Sequence, residues 1–333
     1  MEISDRILHI LRESQQTVSG ESIAAQLGVS RSGVWKAVKK LRADGYWIEA
    51  GTNKGYRLIS ESGVLSPENI RRRLDTGMES IEIDLRDEVT STNTVLKELA
   101  ERGRPEGLVL IAENQVNGKG RLGRSFYSPK GSGLYMSILL RPELPSEDSP
   151  AITTAAAVAV AEAVRAVTGK ETRIKWVNDV YLGGKKICGI LTEAAIDFEN
   201  RKLNYAVLGI GVNILEPPGG FPPEISNVAG ALYKDEAPEG IRTKLAAEIL
   251  NSFFRFYRAL PDRSYMGAYK KLSLLTGMEI TFQQGSETWE GTVLGIDDEA
   301  HLLVRLASGE EKAFGAGEVT IMKKGLLEQL HTS

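Results

Sequence analysis

The chain has 333 residues, of which 42% are hydrophobic and 26% are charged, a composition close to that of soluble globular proteins. Lysine and arginine number 41 and aspartate and glutamate 44, so the net charge of −3 excludes a protein that is basic throughout. The single cysteine, Cys188, excludes an intrachain disulfide and suits a reducing compartment.

We expect neither a membrane anchor nor a secretion signal. The longest uncharged runs, 149–161 and 203–215, are shorter than the roughly 18 apolar residues that cross a bilayer. The chain begins Met-Glu-Ile-Ser-Asp, without the basic region and apolar core of a secretory signal. The three histidines are far apart in sequence and lack zinc spacing. These features predict a cytoplasmic protein with no membrane contact and no structural metal.

Residues 20–41 have the pattern of a helix-turn-helix motif. The motif needs a small residue where its helices cross, a turn residue four positions later and flanking apolar residues; Ala24, Gly28 and Val34 supply these. The second helix is basic, which favours recognition of a DNA groove over a merely solvated face. The tryptophan of this helix either contacts DNA or packs. The candidate DNA contacts are Ser30, Arg31, Ser32, Trp35, Lys36 and Lys39.

A hairpin is expected after this motif. Residues 47–58 form apolar runs around a Gly-Thr-Asn-Lys-Gly turn, and a helix-turn-helix followed by a hairpin is a winged helix. Lys54 or Arg57 in the wing would contact phosphate. Many winged helices bind protein instead, so DNA binding is the favoured one of two alternatives. The small, polar stretch 60–67 predicts a linker, and the first domain is assigned to residues 1–62.

The middle region alternates strands and helices. We expect strands at 107–113, 133–141, 173–176, 186–194 and 205–213. A helix rich in alanine and valine, capped at Ser149 and closed by Gly169, is expected to be central and buried. An amphipathic helix ends at Pro261. We assign residues 66–262 to an α/β domain with a mixed sheet.

A cationic glycine loop lies in this middle region. Residues 118–124 read Gly-Lys-Gly-Arg-Leu-Gly-Arg. A dinucleotide-binding turn would open a helix at its last glycine, whereas here Ser-Pro-Lys-Gly and a strand follow, and the Gly-Lys-Ser/Thr of a P-loop is missing. Alternating glycine and basic residues let the backbone approach an anion while the side chains neutralise it. The alternative is a flexible surface loop.

Two further segments support an anion site. Residues 175–179 read Lys-Trp-Val-Asn-Asp, and Lys186 lies beside an apolar stretch, where a lysine is costly unless it meets an anion. Residues 91–93 read Ser-Thr-Asn before an expected helix at 94–101. This triplet could serve only as a helix cap, or it could bind a polar ligand.

The last region, 272–325, contains five short strand candidates separated by glycine and acidic turns. It is predicted to be a small SH3-like barrel, with Trp289 and Phe314 in its core and no catalytic cluster. The whole chain is thus expected to be an α+β multidomain protein that combines a winged helix, a mixed-sheet α/β domain and this barrel.

The motifs together resemble the biotin–protein ligase family over nearly the whole chain. The family's loop has the form G-R-G-R-x-G-R and here reads G-K-G-R-L-G-R, and its K-W-P-N-D motif appears as K-W-V-N-D. The Ser-Thr-Asn triplet and the G-x-G-x-N pattern at 209–213 also match. The combination is specific, and it is closest to the bifunctional members that also repress the biotin operon through an N-terminal winged helix.

The resemblance implies a reaction in two steps. Biotin and ATP give biotinyl-5′-adenylate and pyrophosphate, and the adenylate then acylates a lysine of biotin carboxyl carrier protein. It also implies Mg²⁺, operator DNA and a homodimer formed when the adenylate is bound. The implied biotin contacts are Ser91, Thr92, Asn93, Gln115, Lys119, Gly120, Arg121 and Lys186. The implied ATP and adenylate contacts are Gly118, Arg121, Arg124, Lys175, Asn178 and Asn213. The implied catalytic residues are Arg121, Lys186 and Asp179.

Some alternatives stay open at this point. Asp179 could orient Lys186, orient the incoming lysine amine or help to hold magnesium. The protein could instead be a lipoate-type ligase, or a biotin-sensing repressor without ligase activity. The cationic loop and Lys186 argue against a pure sensor, because sensing biotin alone does not require neutralised phosphates.

Overall fold

The computed structural model describes residues 2–14, 16–51, 55–60, 64–197, 199–284, 286–315 and 317–321. It contains two compact units. One consists of residues 1–74 with 236–247, and the other of residues 75–235 with 248–333. The three domain boundaries predicted from the sequence stay predictions.

The first unit contains the expected winged helix. Its elements are α1 (Ile3–Ser14), α2 (Gly20–Leu27), α3 (Arg31–Ala43), β1 (Trp47–Gly51), β2 (Gly55–Ser60) and α4 (Pro67–Arg71). Gly28 ends α2 in the left-handed conformation, at φ 66°, as a turn between crossing helices requires. Ile7, Ile23 and Val34 are fully buried between the three helices. The antiparallel β1–β2 pair confirms the hairpin; Lys54, in its turn, lies outside the described residues.

A mixed sheet of seven strands is the framework of the second unit. The strands are β3 (Glu82–Val89), β4 (Leu108–Gln115), β5 (Gly133–Leu140), β6 (Arg173–Lys175), β7 (Asp179–Leu182), β8 (Lys185–Asp197) and β9 (Lys202–Asn213). Their order across the sheet is β3-β4-β5-β9-β8-β7-β6. Only β3 and β4 pair in parallel, so the mixed sheet is confirmed.

Four helices complete this part of the fold. They are α5 (Thr92–Glu101), α6 (Ser149–Thr168), α8 (Met266–Lys271) and α7 (Ile241–Arg258), whose residues 241–247 are assigned to the first unit. Most of α6 is buried, as expected, although Asp148 and not Ser149 occupies its N-cap position. By length and composition α6 could cross a membrane, but 67% of its apolar window is buried inside the protein, as is usual for a core helix.

The C-terminal strands form one antiparallel sheet. They are β10 (Glu279–Gln284), β11 (Glu287–Ile296), β12 (Leu302–Leu306), β13 (Glu311–Phe314) and β14 (Glu318–Ile321), in the order β13-β12-β11-β10-β14. Phe314 is buried as predicted. Closure into a barrel would require β13 to pair with β14, and the described residues contain no such pair. The predicted barrel is therefore corrected to an open sheet whose edges are its two shortest strands, β13 and β14.

Packing of α5 on the sheet determines where the first turn of this helix lies. Leu96 is fully buried against Leu110, Leu139 and Val207. We expect Leu96→Ala to lower the free energy of unfolding by about 2–5 kcal/mol, because it removes buried methyl groups and leaves a cavity. Urea unfolding measures this loss. The exposed Glu98 of the same helix provides the control, since Glu98→Ala should change stability by less than about 0.5 kcal/mol. Similar losses in both variants would contradict this packing.

Candidate functional site

A cavity of about 410 Å³ opens beside the middle strands of the seven-stranded sheet. Its walls come from the start of α5, the glycine loop, the β7–β8 hairpin, β9 and the segment after β9. The predicted residues that line it are Ser91, Thr92, Asn93, Gln115, Lys119, Gly120, Arg121, Arg124, Lys175, Asn178, Asp179, Lys186 and Asn213. Gly118 does not line the cavity. A Cβ atom there would lie 2.3 Å from the Phe126 carbonyl oxygen, so Gly118 permits a close turn of the loop.

The Ser-Thr-Asn triplet does not act as a conventional helix cap. Ser91 occupies the N-cap position of α5 but makes no side-chain cap hydrogen bond. Thr92 donates from its backbone N–H and its hydroxyl to Gln115 Oε1, at 2.9 and 3.1 Å. Gln115 Nε2 in turn donates to Ser128 Oγ at 2.8 Å. The triplet thus begins a buried polar network, and the interpretation as a simple cap is wrong.

This polar network continues through Asn93. Ser137 Oγ lies 2.6 Å from Asn93 Oδ1, and since this amide oxygen can only accept, the serine donates its single proton there. Asn93 Nδ2 donates to Glu193 Oε2 at 2.9 Å, and Lys97 Nζ donates to Glu193 Oε1 at 2.8 Å. Burial would raise the pKa of Glu193, but the hydrogen bonds from Lys97 and Asn93 outweigh it and lower this pKa. Glu193 therefore stays ionised and fixes the Asn93 amide.

The glycine loop places Arg121 against neutral acceptors. One guanidinium nitrogen donates to Asn178 Oδ1 at 3.1 Å, and another donates to the Gly317 carbonyl at 3.4 Å. Asn178 Nδ2 donates to the Ile190 carbonyl at 2.7 Å, which orients its amide oxygen toward the arginine. Because neither acceptor carries a charge, Arg121 keeps its full positive charge for an anion in the cavity.

The β7–β8 hairpin contributes a cation of a different kind. Lys186 Nζ lies 2.7 Å from Asp179 Oδ1, with both side chains largely buried. The contact has ion-pair distance without hydrogen-bond geometry, and Oδ1 has no hydrogen-bond partner among the described residues. The pair holds Lys186 inside the cavity at a lower desolvation cost than an isolated ammonium group would have.

The structure adds lining residues that the sequence analysis missed. Phe126, just after the glycine loop, packs over Gly189 and Gly211, where a Cβ atom would lie 3.2 and 2.5 Å from its ring. The segment after β9 and the C-terminal sheet also reach the cavity, although the sequence assigned neither a role. Their lining residues are Phe221, Glu224, Ile225, Val228, Ala229, Gly317 and Val319. For Phe126, the one sequence signal was its position as an aromatic residue beside a cationic loop. The lining residues after β9 and in the C-terminal sheet had no sequence signal.

The predicted DNA contacts lie at the N-cap of α3 and along its first nine residues, in the first unit. Ser30 caps the helix by accepting from the Gly33 N–H at 3.1 Å, and its hydroxyl lies 2.9 Å from that of Ser32. Arg31 and Lys36 are exposed. Trp35 is 57% exposed, so it does not pack in the core. The remaining candidate, Lys39, lies 6.0 Å from the centre of that indole ring and 3.0 Å from a carboxylate oxygen of Glu236.

A further group of polar side chains lies in the turn between β11 and β12. Asp297, Glu299 and His301 bring three possible metal-binding atoms within 4.8 Å of one another. However, the Asp297 carboxylate already accepts from the backbone N–H groups of Glu299 and His301 and lies 2.8 Å from the His301 ring. These hydrogen bonds account for the turn without a ligand.

Known proteins share this architecture. Residues 86–213 match the model of the biotin/lipoate A/B protein ligase family, residues 4–57 match a helix-turn-helix (HTH) domain, and residues 276–322 match a biotin protein ligase C-terminal domain. The bifunctional ligase/repressor BirA of Bacillus spizizenii is 35% identical over 90% of this chain and 92% of its own. A biotin–[acetyl-CoA-carboxylase] ligase of Mycobacterium tuberculosis is 28% identical over 73% of this chain and 90% of its own.

A solved structure shows the same similarity in three dimensions. Biotin protein ligase from Aquifex aeolicus, in complex with biotin and ATP, superposes with a TM-score of 0.58 at 28% identity, covering 72% of this chain and 98% of that one. Fold, cavity and matches together define a protein ligase that carries a helix-turn-helix domain. The chain belongs to the biotin/lipoate A/B protein ligase family.

The Glu193 carboxylate predicts how stability depends on pH. Its pKa in the folded protein is below the ordinary value of 4.5, so its contribution to stability is present above that value and is lost as the pH falls through the lowered pKa. Between about pH 5 and about pH 2, we expect the free energy of unfolding to fall more in wild-type protein than in Glu193→Gln. The variant has no carboxyl group at position 193 to take up a proton. Urea unfolding at both pH values tests this. The exposed Glu290→Gln should behave like wild type, and parallel pH curves for all three proteins would contradict the expectation.

Proposed function

We propose that this protein is an ATP-dependent biotin–protein ligase that also represses transcription. The observation that carries the proposal is the convergence of Lys119, Arg121 and Lys186, from two separate segments, in one cavity beside a buried polar network. The reaction brings a carboxylate to a triphosphate, and two anions at close range repel each other unless cations neutralise them. The names of the relatives support the same reaction.

In the first step, a biotin carboxylate oxygen forms a bond to the α-phosphorus of ATP, and the bond to the β-phosphate bridge breaks to release pyrophosphate. We assign the biotin side of the cavity to Ser91, Thr92, Asn93, Gln115, Lys119, Gly120, Arg121 and Lys186. We assign the nucleotide side to Arg121, Arg124, Lys175, Asn178 and Asn213, with Gly118 permitting the turn of the loop. Arg121 and Lys186 stabilise the negative charge that builds up at phosphorus.

In the second step, a lysine amine of the carrier protein attacks the carbonyl carbon of the adenylate. The new C–N bond forms, the bond to the AMP oxygen breaks, and the amine loses a proton. The ion pair with Lys186 supports one of the three roles considered for Asp179, which is to orient that lysine. The carrier partner is a biotin carboxyl carrier protein, and we place the reaction in the cytoplasm.

A magnesium ion fits the same cavity. Mg²⁺ is usually held by one or two carboxylates together with substrate phosphates. Among the described lining residues, Asp179 and Glu224 carry carboxylates, and Asp179 Oδ1, which makes no hydrogen bond, lies 2.7 Å from Lys186 Nζ. These two carboxylates are the ones that would hold the ion, Asp179 by exchanging its contact with Lys186 for the metal, and the ion would neutralise the phosphates when bound.

Biotin-dependent adenylation is the first test of the function. Purified protein should release pyrophosphate from ATP when biotin is added, and it should biotinylate a carrier protein. Lys186→Ala should raise the barrier by about 1.5–3 kcal/mol, because the substrate loses a charged hydrogen bond. Lys202→Ala, at an exposed strand end, should behave like wild type. Use of lipoate in place of biotin would instead assign the protein to the lipoate ligases, and repression without adenylation would leave a pure sensor.

Repression is proposed to require a dimer. Residues 1–62 hold nine lysines and arginines and seven aspartates and glutamates, so one copy has a charge of only +2 (nine minus seven). One recognition helix with this charge gives few phosphate contacts, whereas a two-fold dimer doubles them and matches a palindromic operator. We propose that bound adenylate favours the homodimer, so that biotin supply controls transcription through thermodynamic linkage.

The proposed DNA surface predicts separable functions. Arg31→Ala or Lys36→Ala should weaken binding to a biotin-operon promoter by about 1–3 kcal/mol, the range for a base-edge contact. Both variants should retain biotin transfer, because the cavity belongs to the other unit. Lys40→Ala removes a charge from the same helix, but Lys40 pairs with Glu2, so its effect should be smaller. Gel-shift titrations with and without biotin plus ATP measure both properties. DNA affinity that ignores ligand would reject the coupling, and the absence of DNA binding would reject repression.

A further inference from the structure

A helical turn between β9 and α7 forms one wall of the cavity. The Ser226 N–H donates to the Pro222 carbonyl at 2.9 Å, and the Ala229 N–H donates to the Ile225 carbonyl at 2.7 Å. We call residues 222–229 the wall turn. The carbonyls at the C-terminal end of such a turn have no partner within it and carry partial negative charge. Something outside the wall turn must therefore satisfy them.

Lys185 provides that partner. Its Nζ donates to the Asn227 carbonyl at 2.8 Å and to the Ser226 carbonyl at 3.1 Å. An ammonium group at the C-terminal end of a helical turn interacts favourably with the negative end of the turn's dipole. It also donates hydrogen bonds to the last carbonyls, which have no partner within the turn. The lysine thus acts as a cap for a segment about forty residues away in sequence.

The main chain next to Lys185 holds the same wall turn. The Lys186 N–H donates to the Val228 carbonyl at 2.8 Å, and the Gly230 N–H donates to the Lys186 carbonyl at 2.9 Å. A Cβ atom on Gly230 would lie 2.5 Å from Lys185 Cβ, so the chain leaves the wall turn in direct contact with the lysine stem. Lys186 lines the cavity and Lys185 does not. The two adjacent lysines therefore have different tasks.

The wall turn borders the nucleotide side of the proposed site. Phe221, Glu224, Ile225 and Val228 line the cavity from this wall. Asn213, assigned above to the nucleotide, donates from Nδ2 to the Gly230 carbonyl at 3.0 Å, directly after the wall turn. On the biotin side, the start of α5 and Gln115 have no hydrogen bond to the wall turn among the described residues, and Lys186 reaches it only through its main chain.

We propose that Lys185 is a positioning residue for ATP: by capping the wall turn it fixes the nucleotide side of the cavity. This inference rests on the proposed function and deepens it. It requires no contact between Lys185 and either substrate, and it assigns to the first lysine of the pair a role distinct from the charge contributed by Lys186.

The test compares three variants in the full chain. Lys185→Met removes the ammonium group and keeps a long stem, Lys185→Arg retains donors and charge, and Lys244→Met is a matched control because Lys244 Nζ also donates to a backbone carbonyl, that of Glu239 at 3.3 Å. The measurements are kcat and the KM values for ATP and biotin in pyrophosphate release. Cleavage of ligand-free protein after Glu224 by a glutamate-specific protease is followed by fragment mass.

We expect Lys185→Met to raise the KM for ATP about five- to tenfold, or about 1–1.4 kcal/mol at 1.4 kcal/mol per tenfold change. The KM for biotin should change less than about twofold, because the substitution weakens binding of the nucleotide and leaves binding of biotin unchanged. Cleavage after Glu224 should become faster. Lys185→Arg should restore both properties, and Lys244→Met should match wild type.

Three results would overturn the inference. They are an unchanged KM for ATP in Lys185→Met, equal increases in the two KM values, or cleavage after Glu224 at the wild-type rate. Failure of the proposed function looks different, because wild-type protein itself would then release no pyrophosphate with biotin. In that case the protease measurement still decides whether Lys185 caps the wall turn.

Discussion

Holding several cations in one cavity is the constraint on which the rest of the site depends. Two like charges 4 Å apart repel by about 4 kcal/mol at the effective dielectric near a protein surface, so an uncompensated cluster would oppose folding. Lys119 and Arg121 come from the glycine loop and Lys186 from β8, and the partners of Arg121 and Lys186 differ in charge. Lys186 has an ionic partner in Asp179, whereas Arg121 has two neutral acceptors.

These different partners give the two cations different responses to a ligand. An incoming phosphate must compete with Asp179 for Lys186, but it meets the undiminished charge of Arg121. Glycines in the strands make room for both arrangements because they have no side chain. Gly189 and Gly211 leave room for the Phe126 ring, and a Cβ atom at Gly209 would lie 2.2 Å from Asn93 Oδ1. The glycines of β8 and β9 thus allow the aromatic ring and the polar network to lie against the same sheet.

Local patterns in the sequence were enough to predict much of this molecule. The helix-turn-helix, the buried helix α6 and the cationic loop each have a signal within about twenty residues, because caps, periodicity and glycine spacing act locally. Three features depend on distant pairing and had no such signal. The sheet order, the open C-terminal edge and the contribution of Gly317 and Val319 to the cavity follow from tertiary contacts. The choice between the two alternatives for the Ser-Thr-Asn triplet also had no local signal, since the partners of Thr92 and Asn93, Gln115 and Ser137, are distant in sequence.

Two hydrogen bonds from loops beside the central sheet to the C-terminal domain end on main-chain carbonyls. Trp176 Nε1 donates to the Ala300 carbonyl at 2.8 Å, and Arg121 donates to that of Gly317. Every residue type has a main-chain carbonyl, so these hydrogen bonds do not restrict which type of side chain the acceptor residue carries. What they do restrict is backbone shape, since both acceptors have positive φ, 68° and 147°, and a Cβ atom at Gly317 would lie 2.2 Å from the Phe282 ring. The acceptor residues of Trp176 and Arg121 are therefore constrained by backbone conformation, and covariation between side chains would carry little record of these two hydrogen bonds.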